Sequence, residues 1–416
     1  MIFPEYKKLD LSNIAQETLS YWDKYDVFKK SVSNAEGKTP YIFYEGPPSA
    51  NGLPGIHHVL ARTIKDIFLR YKTMKGYQVK RKAGWDTHGL PVELGVEKSL
   101  GISKEDIGNK ISVEDYNKSC KEAVMKYTDI WNDLTKKMGY WVDMEDPYIT
   151  YTSKYMETVW WLIKQIYNKD LMYKGYTVQP YSPKAGTAIS SHELNQPGTY
   201  QDVTDTSVTA QFKIINDNLP DFLDNEEDIY LLAWTTTPWT LPSNTALTVG
   251  SKIEYALIKT FNQYTYKPIQ VILATDLIHK LFSGNYFEIN HESELLKFES
   301  NSNKIPFYIS NKFLGKDLLD IKYEQLLKYA LPAENPENAF RIIHGDFVTT
   351  SDGTGIVHTA PTFGADDALV AKQAKPQVPP MLVKDKNGDL VPLVDLQGRF
   401  RPEMKELAGK YVKNEY

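Results

Sequence analysis

Residues 41–86 constrain the fold more than any other stretch. YIFYEG (41–46) is a run of aromatic and β-branched residues that stops at Gly46, the pattern of a strand. The loop GPPSANGLPG (46–55) follows, dense in turn formers. Leu60, Ile64, Ile67, Phe68 and Tyr71 then recur at helical spacing and Gly76 supplies a stop, which predicts a helix beginning near His58. YQVKRKAGWD (77–86) alternates like a second strand. Strand, loop, helix and strand in that order favour two parallel neighbours joined by a right-handed crossover. The Gly/Pro loop also aims backbone N–H groups and the positive helix end at a place where a phosphate can sit. Many α/β proteins share such a loop, so it names no reaction by itself.

On either side the pattern is helical. Residues 12–30 read as an amphipathic helix with Ser12 as N-cap and Ile14, Leu19 and Trp22 on the apolar side. Residues 112–138 and 153–168 read as two longer helices, the first opening on Ser112 and Asp115 at capping-box spacing. After about residue 185 the character changes. QPGTYQDV, DIYLLAWTT, YALIKTF, IQVILAT, GTGIVHTA and DLVPLVDL are short strand-like runs separated by turns, Asp352-Gly353 and Asn387-Gly388 among them. Residues 371–383 are proline-interrupted and read as a loop over a pocket. The expected organisation is a helical lead-in (1–40), an α/β domain (41–185) and a strand-rich α+β or barrel-like domain (186–416).

Composition sets outer bounds. At 416 residues the chain has room for two or three domains with substantial cores. A net charge of -5 argues against holding nucleic acid through bulk positive charge, while leaving room for a local basic surface such as Lys72, Lys75, Lys80, Arg81 and Lys82. Cys120 is the single cysteine, which excludes an internal disulfide framework and a thiolate zinc cluster, and it reads as a small helix residue. No apolar run reaches the length of a membrane span, and MIFPEYKKLD lacks the apolar core of a signal peptide, so a cytoplasmic chain with no membrane contact is expected.

Two polar loops stand apart from any packing pattern: WTTTPWTLPSN (234–244) and GTGIVHTAPTFGADD (353–367). Taken singly, the threonine run is what a strand favours, Trp234 and Trp239 suit packing, and His358 on an apolar strand suits a satisfied core position. Asp366 and Asp367 are more telling, since paired carboxylates after a glycine turn need solvent or a cation. Together the two loops supply what a small hydrolytic pocket needs.

EGPPSANGLPGIHHVLARTIKD (45–66) and KAGWDTHGLPVE (82–93) resemble the nucleotide-binding half of class I aminoacyl-tRNA synthetases of the isoleucine, valine and leucine group. The two polar loops resemble the editing pocket of the isoleucyl branch, and Thr-Thr-Thr-Pro-Trp-Thr in place of Thr-Thr-Arg-Pro favours isoleucine over its sister substrates. The resemblance covers essentially the whole chain. It implies the first half of a Rossmann-type domain, and ATP-dependent activation of isoleucine (with Mg2+ accompanying ATP) for transfer to tRNA(Ile). It also implies hydrolytic editing of valyl-tRNA(Ile), by a monomer with no metal site in this chain. Gly46 and Pro47 would wall the amino-acid pocket and Asp86 would hold the α-ammonium. Asn51, Gly55, His57 and His58 would face ATP, with His58 donating to the charge that develops on the α-phosphate. In the editing pocket Asp367 would anchor the ammonium of the valyl ester. Thr235, Thr236 and Thr237 would line the wall and place water, Asn244 would support that loop, and His358 would limit side-chain space.

One departure stands out. The family signature His-x-Gly-His is here Gly55-Ile56-His57-His58, with the first histidine and the glycine exchanged. Such an exchange is similar to an isoleucyl branch associated with resistance to adenylate-mimicking inhibitors such as mupirocin. No Lys-Met-Ser-Lys-Ser-type loop or anticodon-binding region is present, which reads as an N-terminal fragment. Two other readings stay open: a free-standing hydrolase editing mischarged tRNA in trans, and a non-catalytic tRNA- or protein-binding remnant.

Overall fold

The structure, a computed structural model, describes residues 8–413 except 47, 176, 217–218, 224–226 and 300–301. It divides into two compact units, residues 1–174 and 175–416. Each is described by itself.

Unit 1 begins with α1 (Leu11–Tyr25) and α2 (Val27–Ser33). The expected single helix over 12–30 breaks at Asp26, which takes a left-handed conformation with φ 47°. Its N-cap is Asp10, not Ser12: the Asp10 carboxylate accepts the Asn13 N–H at 3.1 Å, leaving Ser12 inside the first turn. Then come β1 (Pro40–Tyr44), α3 (Ile56–Met74) and β2 (Gln78–Trp85), the crossover unit expected from the sequence. α4 (Leu90–Leu100), α5 (Val113–Val124), α6 (Thr128–Lys137), β3 (Asp143–Ile149) and α7 (Ser153–Tyr167) complete the unit. The three strands form one parallel sheet in the order β1-β2-β3, as in half of a Rossmann-type domain.

The helix expected over 112–138 is two helices. Tyr127 N–H turns out of the helical ladder to donate to Ala50 O at 3.0 Å, so the loop after β1 interrupts the helix it packs on. Arg81, expected on a basic surface, is 2% exposed. It bonds to Asp66 (3.2 Å) and Thr73 Oγ1 (2.8 Å), and burial lowers its pKa to about 10. The N-terminal helices are tied to this unit through aromatic contacts. Trp22 meets Trp141 edge-on at 5.0 Å, and the Arg70 guanidinium lies 3.9 Å from the Trp141 ring centre.

Unit 2 opens with a small hairpin, β4 (Tyr181–Ser182) and β5 (Thr187–Ala188), and one turn of helix, α8 (Ser191–Leu194). Residues 196–203, expected as a strand, form none; Pro197, Gly198 and the surrounding polar residues offer little to a ladder. A nine-stranded mixed sheet follows. It contains β6 (Val208–Lys213), β7 (Ile229–Thr235), β8 (Ala246–Val249), β9 (Glu254–Phe261) and β10 (Pro268–Ala274). After the short helix α9 (Ile278–Leu281) it adds β11 (Tyr286–Glu288), β12 (Ile305–Leu314), β13 (Arg341–His344) and β14 (Ile356–Thr359). The order is β11-β12-β9-β10-β7-β14-β8-β13, with β6 paired to the other side of β7. Helix α10 (Ala365–Gln373) and the hairpin β15 (Leu382–Lys384) and β16 (Leu390–Pro392) come last, the hairpin turning at Asn387-Gly388 as expected.

Unit 2 has one large core and two smaller clusters, one around Val370 and one around Met381. Phe212, Ile229, Leu231, Leu257, Ile272 and Phe307 are all buried in one cluster across the sheet, and each such side chain contributes about 1.5–3 kcal/mol of burial. Among the described residues no helix is long and apolar enough to cross a membrane.

Candidate active sites

The unit 1 site lies at the carboxyl ends of the parallel strands, where open α/β sheets place their ligands. β1 delivers Glu45 and Gly46, and β2 delivers Asp86. The loops are laced together: Asp86 N–H donates to Pro48 O at 3.1 Å, and Thr87 N–H donates to Thr150 Oγ1, just past β3, at 2.9 Å. Asp86 Oδ1 accepts His88 N–H at 3.2 Å, and Asn51 Oδ1 accepts the Ser49 hydroxyl at 2.7 Å. Gly46 is exposed, and a Cβ there would find ordinary room, its nearest neighbour Lys65 Nζ lying 3.7 Å away. Pro47 lies outside the described residues.

The altered signature forms the first turn of α3, two residues earlier than expected. Gly55 is the N-cap, and its N–H donates to His58 Nδ1 at 2.9 Å, so the third residue of the helix caps its own start. An accepting Nδ1 leaves the His58 proton on Nε2, available as a donor. Burial first, then the neighbouring His57 and Arg62, lowers the His58 pKa and keeps the ring neutral. The edge of Trp131 (ring centres 4.7 Å apart) and the exposed ring of His57 (3.8 Å) bracket it. A Cβ on Gly55 would meet His57 Cε1 at 2.8 Å and Nδ1 at 2.9 Å. The ring of His57 thus folds into the space a side chain at position 55 would take, and the two exchanged residues are sterically coupled.

Beneath this edge sits a buried carboxylate that the sequence did not single out. Glu45 is 3% exposed, ion-paired with Lys65, and accepts the Tyr140 hydroxyl; its backbone carbonyl accepts the Tyr148 hydroxyl. Arg62, itself buried, donates to Thr135 Oγ1 at 2.8 Å and stacks over Trp131. Glu45 stood in the quoted string; Tyr140 and Trp131 carried no local cue.

In unit 2 the sheet register brings the two polar loops together. β14 pairs antiparallel to β8 with Thr359 opposite Ala246 and His358 opposite Leu247, which sets His358 beside the chain that enters β8. That entry is a short 3-10 segment, Pro238–Ser243, followed by Asn244. Thr240 Oγ1 lies 3.0 Å from His358 Nε2 and Asn244 Nδ2 lies 2.9 Å from His358 Nδ1. Thr235 is buried at the end of β7, its hydroxyl accepting Thr237 N–H at 3.0 Å, while Thr236 points to solvent. Trp239 meets Phe363 edge-on at 4.9 Å, joining the first loop to the second. Desolvation lowers the pKa of His358 to about 4, so it is a neutral ring with both nitrogens engaged.

Asp367 occupies the first turn of α10, near the positive helix end. A Cβ at Gly364 would meet its carboxyl carbon at 2.6 Å, so the glycine lets the carboxylate fold back and accept Ala360 N–H at 2.7 Å. Burial pushes its pKa up, and the charge of Asp366 adds to that; among the described residues no cation is one of the groups acting on it. Asp366 is exposed. Thr240, and Tyr323 behind Asn244, are members of this site that sequence reasoning did not assign. Thr240 was signalled by the loop it lies in, Tyr323 by nothing local.

A family model described as tRNA synthetases class I (I, L, M and V) matches residues 17–322. The chain belongs to this family. It is 59% identical to an isoleucine–tRNA ligase of Cytophaga hutchinsonii over 99% of its own length and 36% of that protein's. To an isoleucine–tRNA ligase of Bacteroides fragilis it is 56% identical, over 100% of its length and 37% of the relative's. The chain thus spans little more than a third of the curated relatives it matches. Among solved structures it is similar to a leucyl-tRNA synthetase of Agrobacterium radiobacter K84 in a ternary complex with tRNA and LeuAMS. That likeness has a TM-score of 0.34 and 16% identity over 64% of this chain and 41% of that one.

Proposed function

We propose that this chain is the portion of an isoleucine–tRNA ligase that carries half of the synthetic site and a hydrolytic editing site. The ligase activates isoleucine with ATP, transfers it to tRNA(Ile) and hydrolyses valyl-tRNA(Ile), as a cytoplasmic monomer. The need for editing is physical: a pocket that admits isoleucine cannot strongly reject valine, one methylene smaller, a limit for which this pair is the standard illustration.

Asp367 carries the editing reading. It is a largely buried carboxylate with one N–H donor and, among the described residues, no cation acting on it, so a bound α-ammonium would supply the missing counter-charge. Thr235, Thr236 and Thr237 would then flank the ester and place the attacking water, with Asn244 and His358 bracing the loop. His358 is neutral at physiological pH and both ring nitrogens are occupied, so it acts as a wall and not as the base. Rate enhancement here comes from positioning and from dipoles aimed at the developing oxyanion.

In unit 1 the same reading gives Asp86 the ammonium of isoleucine, Gly46 and Pro47 the wall beside its side chain, and Asn51, Gly55 and His57 the nucleotide. The Nε2–H of His58 is suited to donate to an α-phosphate oxygen. Magnesium would accompany ATP.

The test is hydrolysis of valyl-tRNA(Ile) by the chain beside an Asp367→Ala variant, with isoleucyl-tRNA(Ile) as control. Valyl-selective hydrolysis that disappears in the variant is expected. Equal hydrolysis of both esters, or full activity in Asp367→Ala, would remove the assignment. ATP–pyrophosphate exchange by the protein at its natural length tests the synthetic half.

A further inference from the structure

The wall of the unit 2 pocket has a built-in direction. Tyr323 is 1% exposed, its ring held by Phe212 and Phe340 at 5.4 and 6.3 Å between centres. Burial raises its pKa well above the ordinary value, so its hydroxyl stays protonated, and it donates to Asn244 Oδ1 at 2.6 Å. The Asn244 nitrogen then faces Ala246 O at 2.8 Å and His358 Nδ1 at 2.9 Å. Ala246 O can only accept, which excludes the flipped amide in this arrangement. His358 Nδ1 must therefore accept and its proton must sit on Nε2, which faces Thr240 Oγ1 at 3.0 Å. Thr240 spends its own proton on Thr237 O at 2.7 Å. From Tyr323 to Thr237 each donor meets one acceptor, and no link reverses alone.

We propose that Tyr323 is a positioning residue for the editing reaction: its hydroxyl, together with Ala246 O, fixes the Asn244 amide and hence the sense of the chain Tyr323–Asn244–His358–Thr240–Thr237, and thereby holds the threonine loop in a single arrangement. This rests on the editing reading of the pocket. Tyr323 touches no substrate and acts only through Asn244. Without the hydroxyl, Asn244 Oδ1 is a buried acceptor with no donor. The imidazole could supply one only through an amide flip and a change of tautomer, which would set Oδ1 against Ala246 O, so neither orientation of Asn244 is then satisfied.

The experiment uses the 416-residue chain with 15N-labelled histidine. The His358 tautomer is read by long-range 15N–1H correlation, and valyl-tRNA(Ile) hydrolysis is measured in parallel. The unaltered chain is expected to show a single Nε2–H tautomer at His358. Tyr323→Phe, which keeps the buried ring, is expected to show mixed tautomers and a kcat about tenfold lower with KM unchanged. A Nδ1–H tautomer in the unaltered chain overturns the proposal, as does a Tyr323→Phe variant whose tautomer or kcat does not move. If Tyr323→Phe does not fold, Asn244→Asp decides: two accepting oxygens must draw the His358 proton to Nδ1, and persistence of Nε2–H overturns the relay. Absence of hydrolysis in the unaltered chain would count against the editing reading alone, because the tautomer is read without substrate.

Discussion

In unit 1 the buried carboxylate Glu45 sits among Lys65, Tyr140 and the nearby Arg62, whereas in unit 2 the buried His358 sits among an amide, a hydroxyl and a phenol. The first cluster is organised by charge, the second by the direction of neutral hydrogen bonds. Their settings differ as well. Unit 2 packs most of its buried residues into one large core across the sheet, with two smaller clusters beside it. Unit 1 has small clusters around Trp131 and Tyr140 and leaves apolar faces open: Leu60, Ile64, Ile67 and Phe68 on α3, and Trp160, Trp161 and Ile163 on α7. A charged cluster near an open apolar face depends on its few large buried side chains. A neutral relay inside a deep core is carried by many.

The largest expected effect follows from that difference. Trp131 is fully buried, donates its indole N–H to Gly52 O at 2.8 Å and packs on His58 and Arg62. Trp131→Ala should cost about 3–5 kcal/mol and unfold unit 1, read as loss of hydrogen-exchange protection across α3 and β2. Phe307→Ala in unit 2 removes a similar burden but should leave that unit folded, with protection lowered and retained. Equal tolerance in both units would break the comparison.

Charge and neutrality separate next. Glu45→Ala leaves the Tyr140 hydroxyl and the half-buried Lys65 ammonium without their acceptor, and should cost about 1–3 kcal/mol, measured by urea denaturation. In unit 2 the corresponding lever is pH. The folded-state pKa of His358 is depressed from 6.5 to about 4. Its contribution is therefore intact above the unfolded value and is lost as pH falls from 6.5 toward 4. The drop amounts to about 3 kcal/mol in full. Asp367 works in the opposite sense: its raised pKa means the folded state takes up a proton more readily than the unfolded one, so its burden at neutral pH is relieved as pH falls. Asp367→Asn should thus steepen the acid loss and stabilise unit 2 near neutrality, while abolishing hydrolysis. A flat stability profile between pH 4 and 6.5 in Asp367→Asn would show that His358 is not buried neutral.

What the sequence disclosed follows the same division between local and distant. The crossover unit over residues 40–85 was legible because its signals are local: an aromatic run ending at Gly46, a turn-rich loop, and apolar residues at helical spacing. The two polar loops were legible from composition, and their meeting was implied by resemblance. The break at Tyr127 was not, since it depends on a hydrogen bond to Ala50, 77 positions away in the chain (127 − 50). Nor were β8 and β13, whose parallel pairing is a long-range choice that no local propensity specifies. Tyr323 was silent for the same reason: its role exists only after Asn244, itself 79 residues distant, has been folded against it.

The smallest expected effect tests the close approach of His57 to Gly55 in unit 1. Gly55 has φ -110°, a backbone that any residue can adopt, so glycine is not required there by conformation. The constraint is the His57 ring, 2.8 Å from the place a Cβ would occupy. Gly55→Ala should therefore cost about 1 kcal/mol and displace His57. In a His57→Gly background the same substitution should cost nothing of this kind, a coupling of about 1 kcal/mol in a double-mutant cycle. Additive effects would mean that the exchange of the two residues is not steric in origin. If the coupling is found, Gly55→His with His57→Gly is a compensated pair, since it removes the ring that fills the space as it adds one at position 55. Such a double variant, made in the protein at its natural length, should bind adenylate-mimicking inhibitors more tightly than the unaltered enzyme, because the face of the first turn that His57 now covers is opened to the nucleotide. An unchanged inhibitor affinity would place the cause of any resistance away from this turn and leave the exchange as a packing solution alone.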